Sequence, residues 1–206
     1  MKEIYFCTDI ETSGQSYATG SMMTIGVIPV MEFDGHFERI LESEFYIRLH
    51  PRFDAMHMVR SDVKTLEWWR LQDPRVFHEA FHEKPRDYPY RALLALKVYV
   101  ESLSARWDAT PIFAVAGPVG FDYSFVSNYF YEFQVDNPFG EPGRTLDMKS
   151  YFMGMTGFSY AESCSKEKRE QRFGSILEEY HSHHALGDAK YLAAFLCKML
   201  NAKSKF

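Results

Sequence analysis

Short apolar runs separated by polar links characterise the first fifty residues. Residues 4–10 and 22–30 are two such runs, and residues 44–49 alternate between apolar and polar positions. Patterns of this length are typical of strands, and the turn-like link at 12–16 suits a tight connection. We therefore predict that the chain opens with three antiparallel strands.

Helical spacing of apolar residues dominates the remainder of the chain. The pattern predicts three long helices, at 90–107, 121–133 and 185–200. A strand is predicted at 111–116, and two shorter helices are predicted, one capped by Ser61 and one over 146–155. Strands followed by strand–helix alternation indicate an α/β fold, in which helices pack on a mixed sheet.

The composition is typical of a globular chain. Of 206 residues, 46% are hydrophobic and 25% are charged, which excludes a disordered chain and a disulfide scaffold. The formal net charge of −5 excludes a protein that holds nucleic acid by bulk positive charge, so any such contact must be local or bridged by metal cations. Because no shift in composition divides the chain, we predict a single domain over 1–206.

The cysteines and the lengths of the apolar runs indicate the cellular compartment that we expect. The three cysteines, Cys7, Cys164 and Cys197, have no zinc-ligand or CxxC spacing, which favours reduced thiols. No apolar run approaches the ~18 residues needed to span a bilayer, and the first residues do not have the pattern of a signal peptide. We therefore expect a cytoplasmic protein without a membrane partner.

Two carboxylates stand two positions apart at the end of the first predicted strand. Asp9 and Glu11 would project from the same face of that strand. If both are buried, they repel each other and resist desolvation, and a hard divalent cation would remove that cost. The alternative is that Glu11 already lies in the turn and that both carboxylates are solvated.

Two aspartates on predicted helices are further candidates. Asp188 lies in the apolar stripe of the last helix, so it faces the sheet and needs a partner. That partner is a metal ion shared with Asp9, an arginine, or water at an edge position. Asp122 opens the helix that follows the strand at 111–116. It either caps that helix or joins a site at the edge of the sheet.

A histidine precedes the last helix. His183 stands five positions before Asp188, and five residues turn a helix by about 500°, so the two do not share a helical face. We expect His183 in the loop or the first turn, where its imidazole could take a proton from water. The alternative is a solvated histidine-rich loop.

Together these residues resemble three motifs of the DEDDh branch of the DnaQ-like 3′–5′ exonuclease superfamily. Residues 6–12 (FCTDIET) are similar to its D-x-E strand, residues 121–126 (FDYSFV) to its F-D-x-x-F motif, and residues 183–189 (HHALGDA) to its H-x-A-L-x-D-A motif. Residues 20–22 with Gly26, 138–140 and 146–151 resemble a narrower, little-characterised bacterial branch of that superfamily. Residues 65–69 are similar to an element of its mycobacterial exoribonuclease-like and T-even phage exonuclease-like members.

The resemblance implies a ribonuclease H-like fold, with a mixed five-stranded sheet and helices on both faces. It implies a single-domain 3′–5′ exonuclease that hydrolyses phosphodiester bonds by a two-metal mechanism. Asp9, Glu11 and Asp188 would hold two Mg²⁺ or Mn²⁺ ions, with support from Asp122. His183 would act as the general base, and the five residues would form the catalytic set.

The substrate implied is the 3′ end of single-stranded RNA or DNA. The backbone of Thr12 and Ser13 could hold the terminal sugar, and either Trp68 or its neighbour Trp69 could stack on a base. The tryptophans could instead belong to the core and to a homodimer interface. The alternative function is a nucleic-acid-binding module that retains the exonuclease fold without catalysis.

Overall fold

The computed structural model describes residues 2–53, 56–140, 144–176 and 183–203. Over these ranges the chain forms six strands and eight α-helices. The strands are β1 (Lys2–Thr12), β2 (Met22–Phe33), β3 (His36–Arg39), β4 (Phe45–Arg48), β5 (Ala109–Val115) and β6 (Thr145–Asp147). The helices are α1 (Val63–Trp69), α2 (Pro74–Phe81), α3 (Pro89–Trp107), α4 (Val119–Glu132), α5 (Met148–Thr156), α6 (Tyr160–Cys164), α7 (Lys166–Phe173) and α8 (Ala185–Lys203).

All six strands belong to one mixed sheet. Its order is β3-β2-β1-β5-β6, and β4 pairs with the first half of β2. The pairs β1–β2, β2–β3 and β2–β4 are antiparallel, whereas β1–β5 and β5–β6 are parallel. The predicted α/β class and mixed sheet are confirmed, and the predicted count of five strands is corrected to six over the described ranges.

Three elements, β3, β6 and α2, were not predicted from the sequence pattern. Strand β3 follows β2 through a two-residue hairpin turn formed by Asp34 and Gly35, both of which have positive φ. An Asp-Gly pair is typical of such turns. The predicted helix over 146–155 begins instead at Met148, because Asp147 ends β6 and accepts a hydrogen bond from Ser150 N–H as the N-cap. Helix α2 was not predicted, although its Asp73–Pro74 start is typical of a helix N-terminus.

The two faces of the sheet carry different helices. On β1 the side chains of Ile4, Phe6 and Ile10 pack into a core with α3 and α4. Cys7 on the same strand packs into a second core with α5 and α8. Because side chains alternate along a strand, Asp9 and Glu11 project to the same face as Cys7, the face that α8 covers.

Helix α8 approaches the sheet at Gly26. This residue pairs with Asp9 in the β1–β2 ladder. A Cβ atom at position 26 would lie 2.5 Å from backbone atoms of Ala185 and Leu186, closer than any real contact. Glycine is therefore required here, because it allows the first turn of α8 to rest directly on the strand beside Asp9.

We predict that Gly26→Ala lowers the free energy of unfolding by about 1–3 kcal/mol, because the backbone of α8 must move away from β2. Urea denaturation measures this loss. Gly154→Ala is the matched control, since position 154 lies inside α5 and has nothing within 4 Å of an added Cβ. It should raise stability by roughly 0.5–1 kcal/mol. Equal effects of the two changes would contradict the close approach.

Candidate metal centre

Three carboxylates converge where β1 meets α8. Each of Asp9, Glu11 and Asp188 offers one oxygen, and these oxygens all lie within 4.8 Å of one another. Asp9 and Glu11 come from one face of β1, as their spacing predicted, and Asp188 comes from the first turn of α8. Asp9 and Asp188, which are 179 positions apart in the chain, thus share one small volume because α8 rests on β2 at Gly26.

A fourth carboxylate, Asp122, approaches from the first turn of α4. It is 8% exposed, and its charge acts on Asp9 and Glu11. Burial raises the pKa of Asp122 to about 7, although backbone N–H groups of Ile10 and Asp122 itself and the charge of Lys149 oppose this rise. Asp122 therefore adds negative charge to the centre, but the three carboxylates that lie close together are Asp9, Glu11 and Asp188.

Burial and mutual repulsion disfavour ionisation of the whole cluster. Burial, followed by the charges of Asp188, Glu11 and Asp122, raises the pKa of Asp9 well above its ordinary range. Burial and the charge of Asp188 do the same for the pKa of Glu11. Such a cluster is costly unless a cation compensates it.

The donor set suits a divalent cation. Glu11 is 7% exposed, and no described residue donates a hydrogen bond to its Oε1 atom. Buried carboxylate oxygens are the ligands that Mg²⁺ and Mn²⁺ prefer. The orphaned oxygen and the three convergent carboxylates therefore fit a hard divalent ion.

His183 lies beside these carboxylates, immediately before α8. Its backbone N–H donates a hydrogen bond of 2.9 Å to Asp188 Oδ2, and its φ is 64°. Its ring contacts the edges of Trp68 and Trp69, with centroid distances of 4.8 and 6.3 Å. The backbone of His183 is thus tied to one carboxylate of the cluster, and its ring packs against the two tryptophans. The neighbouring positions 181 and 182 lie outside the described residues.

A cleft of about 320 Å³ opens next to the cluster. Its lining includes Glu11 and Thr12 from β1 and Trp68 from α1, together with Lys64 and Phe121. The exposed fraction of Trp68 is 43%, so one face of the indole is available to a ligand. The cleft therefore joins Glu11 of the cluster to the aromatic surface of Trp68 and the positive charge of Lys64.

The two tryptophans have different surroundings. Trp69 is fully buried, and its Nε1–H donates to the carbonyl oxygen of Thr12 at 2.9 Å. This bond ties α1 to the end of β1. Trp68 is therefore the member of the pair with an open surface, and Trp69 belongs to the core.

Ser13 is buried and hydrogen-bonded within the protein, whereas the sequence predicted that its backbone contacts the substrate. It is 1% exposed, and its hydroxyl donates to the carbonyl oxygen of Arg60 at 2.8 Å. Its backbone N–H donates to Ser21 and its carbonyl accepts from Asp62 N–H. Because these groups are engaged inside the protein, we correct the prediction for Ser13, which holds the loop after β1.

Three polar residues around the centre were not predicted. Thr24 pairs with Glu11 across the β1–β2 ladder and is fully buried. Tyr46 on β4 and Glu79 on α2 lie farther along the same face. Tyr46 could have been predicted from the alternation of apolar and polar residues along β4. Glu79 could not, because the apolar pattern did not predict helix α2.

Comparison with known proteins bears directly on this arrangement. Residues 5–200 match the family described as the 3′–5′ exoribonuclease Rv2179c-like domain. The chain belongs to this family. The match covers β1, the carboxylates and most of α8, so the predicted membership of the DnaQ-like exonuclease superfamily is confirmed.

Individual relatives are distant in sequence and close in fold. The chain is 29% identical over 210 residues to the Escherichia coli protein 3′–5′ DNA exonuclease Cap18, covering 99% of this chain and 96% of that protein. It resembles a solved full-length 3′-exonuclease with a TM-score of 0.65 at 10% identity, over 100% of this chain and 84% of the other. It also resembles E. coli exonuclease I in complex with a dA16 oligonucleotide, with a TM-score of 0.61 at 15% identity. That match covers 97% of this chain and 41% of exonuclease I.

These structural likenesses support the ribonuclease H-like fold with helices on both faces of the sheet. No helix in the described part of the chain is long and apolar enough to cross a bilayer.

We predict that the free energy of unfolding of the metal-free protein falls as the pH rises from about 4 to about 7. Asp122 has an ordinary pKa of 3.8 and a folded pKa of about 7. A raised pKa means that the folded state binds the proton more tightly, so the stabilisation is complete below pH 4 and is lost as the pH passes the folded pKa. Thermal unfolding in a chelator, repeated with Mn²⁺, should show that the ion restores stability at pH 7 and above.

Asp9→Asn tests whether like charges cause this behaviour. Removing one charge from the cluster should raise the metal-free stability at pH 8 by on the order of 1 kcal/mol and should abolish the gain from Mn²⁺. Asp34→Asn removes the same charge from the exposed β2–β3 turn and should change neither quantity. A Mn²⁺ gain that survives in Asp9→Asn would contradict the assignment of the centre.

Proposed function

We propose that this protein is a metal-dependent 3′–5′ exonuclease of the DEDDh type, with its catalytic residues in one domain over 1–206. The convergence of Asp9, Glu11 and Asp188 within 4.8 Å, in a buried setting beside an open cleft, carries this proposal. Family membership supports the reaction class.

Asp9, Glu11 and Asp188 would hold two divalent ions, Mg²⁺ or Mn²⁺, with Asp122 supporting one of them. When bound, the ions would supply a more acidic water and positive charge at the phosphate. The carboxylates provide the negative charge that attracts the ions, and their burial excludes competing water. The net charge of −5 is then no obstacle to nucleic acid, because the positive charge needed at the phosphate is local.

His183 is proposed as the general base. The bond from its backbone to Asp188 ties the residue to the cluster, and the contact with Trp68 restricts the ring. A neutral imidazole can accept a proton from an attacking water. The three motifs quoted for the DEDDh branch thereby acquire separate roles: two ligands on β1, one supporting carboxylate on α4, and a base and ligand at the start of α8.

The cleft suits the end of a single nucleic-acid strand. Trp68 offers an indole face on which a base can stack, and Thr12 and Glu11 line the same cleft. Lys64 adds a positive charge at the cleft for a phosphate. The family description names exoribonuclease and the E. coli relative is a DNA exonuclease, so we propose single-stranded 3′ ends as the substrate and test both sugars.

Two further expectations remain predictions from the sequence. A cytoplasmic location is proposed because the three cysteines have neither metal-site nor disulfide-framework spacing. A homodimer is also proposed, and sedimentation of the purified chain would test it. The alternative of a binding module without catalysis is disfavoured by the presence of four mutually repelling carboxylates, of which Glu11 and Asp122 are buried, because binding alone does not require them.

We predict stepwise shortening from the 3′ end of 5′-labelled single-stranded oligonucleotides in Mn²⁺ or Mg²⁺ between pH 7 and 9. RNA and DNA of matched sequence should be compared side by side. Asp9→Asn should abolish activity because the ions lose a ligand. His183→Ala should lower kcat by about 10²–10⁴-fold and leave Mn²⁺ binding in place, since the imidazole transfers a proton.

Asp34→Asn serves as the matched control and should retain wild-type activity. Absence of shortening for both sugars would reject the exonuclease proposal. Full activity of His183→Ala would reject the histidine as the base while leaving the metal centre intact.

We predict that Trp68→Ala raises KM for a single-stranded oligonucleotide by roughly 5- to 150-fold, because a stacked base contributes about 1–3 kcal/mol. It should also lower kcat, since His183 loses the ring that it contacts. Trp68→Phe should recover part of both. Tyr131→Ala removes an aromatic residue that is 86% exposed on α4 and should leave KM unchanged. An unchanged KM in Trp68→Ala would show that bases do not stack at this surface.

A further inference from the structure

An additional carboxylate, Glu79 of α2, lies beside the proposed centre without belonging to its ligand set. Its charge is close enough to contribute to the raised pKa of Glu11. The side chain of Glu79 is 12% exposed, and no described residue donates a hydrogen bond to its Oε2 atom. Buried polar groups normally have hydrogen-bond partners, and α2 supplies none of the proposed metal ligands. Metal ligation therefore does not explain the burial of Glu79.

One oxygen of Glu79 is anchored to β4. Arg48 Nε donates to Oε1 at 2.9 Å, and the hydroxyl of Tyr46 donates to the same atom. These bonds fix the carboxylate and also align the ring of Tyr46. Tyr46 and Arg48 lie two positions apart on one strand, so both face α8 and α2.

The other oxygen faces His184, the residue before α8. His184 Nε2 lies 3.9 Å from Glu79 Oε2, and the imidazole stacks on the ring of Tyr46 with a centroid distance of 5.1 Å. Gly187 N–H donates to His184 Nδ1 at 3.2 Å. Since Nδ1 is the acceptor, the neutral ring carries its hydrogen on Nε2, the nitrogen that faces the carboxylate.

His184 in turn holds the start of α8. Its Nδ1 atom accepts from Gly187 N–H, and its carbonyl oxygen accepts from Asp188 N–H at 2.8 Å. Asp188 also accepts from the backbone of His183. A displacement of the His184 ring would therefore move both the proposed ligand and the proposed base.

We propose that Glu79 is a positioning residue, which acts through Tyr46 and His184 to hold the first turn of α8 in the register that the metal centre requires. The proposal rests on the proposed function for its consequence in catalysis. The predicted effect on metal affinity does not require exonuclease activity, because it depends only on how Asp188 is held.

The test compares Glu79→Ala, His184→Ala and the double variant. Calorimetric titration with Mn²⁺ alone measures metal affinity, and kcat and KM are measured on a single-stranded oligonucleotide. Glu79→Ala should lower Mn²⁺ affinity and kcat by about 10- to 100-fold, the usual effect of removing a residue that orients metal ligands. KM should stay within about threefold, because Glu79 does not line the cleft.

The double variant decides whether Glu79 acts through His184. If it does, the double variant is no worse than His184→Ala, whereas independent effects would multiply. Glu83→Ala is the matched control: Glu83 also pairs with Arg48, at 3.2 Å, but its side chain is 45% exposed. Glu83→Ala should remain within twofold of the wild type in both measurements.

Glu79→Gln covers the case in which Glu79→Ala does not fold. Its amide oxygen can still accept from Arg48 and Tyr46, but the amide NH₂ then faces the N–H of His184, so Mn²⁺ affinity should again fall. Wild-type affinity in Glu79→Gln, multiplicative losses in the double variant, or an equal loss in Glu83→Ala would each overturn the proposal. If the wild type binds Mn²⁺ but shortens no oligonucleotide, the exonuclease proposal fails, and the Mn²⁺ affinities still decide the role of Glu79.

Discussion

The repulsion among buried carboxylates at the crossing of β1 and α8 is the constraint on which the rest of the structure depends. Asp9, Glu11 and Asp188 are brought within 4.8 Å in a setting that raises the pKa values of the two β1 residues. Folding alone gains nothing from such an arrangement. The surrounding elements must therefore hold the cluster together by other contacts.

Those contacts come from the elements around the cluster. Gly26 lets the backbone of α8 rest on β2, and the aromatic and ionic contacts around Glu79 hold the turn that precedes the helix. Trp69 ties α1 to the carbonyl oxygen of Thr12. The bond from Trp69 leaves Trp68 at the cleft, so the same packing that stabilises the core also shapes the proposed substrate surface.

Local patterns predicted the elements that have strong periodicity. The strands around 4–10 and 22–30 and the helix over 90–107 were predicted close to their observed bounds, because their apolar residues meet a core on a regular repeat. Strand β6 has three residues and α2 has eight, and neither is long enough for its period to stand out. The prediction for Ser13 was wrong because adjacency to a ligand in sequence does not determine which way a turn presents its groups.

The sequence by itself determined the α/β class, the resemblance to exonucleases and the carboxylates at Asp9, Glu11, Asp122 and Asp188, because strand and helix periods decide which face a residue occupies. Only the tertiary structure decided which of them form the close set, which tryptophan is open, and that Glu79 joins the surroundings of the centre. Those features depend on how closely elements distant in the chain approach one another. Such distances are set by packing at positions such as Gly26 and are not encoded in any local repeat.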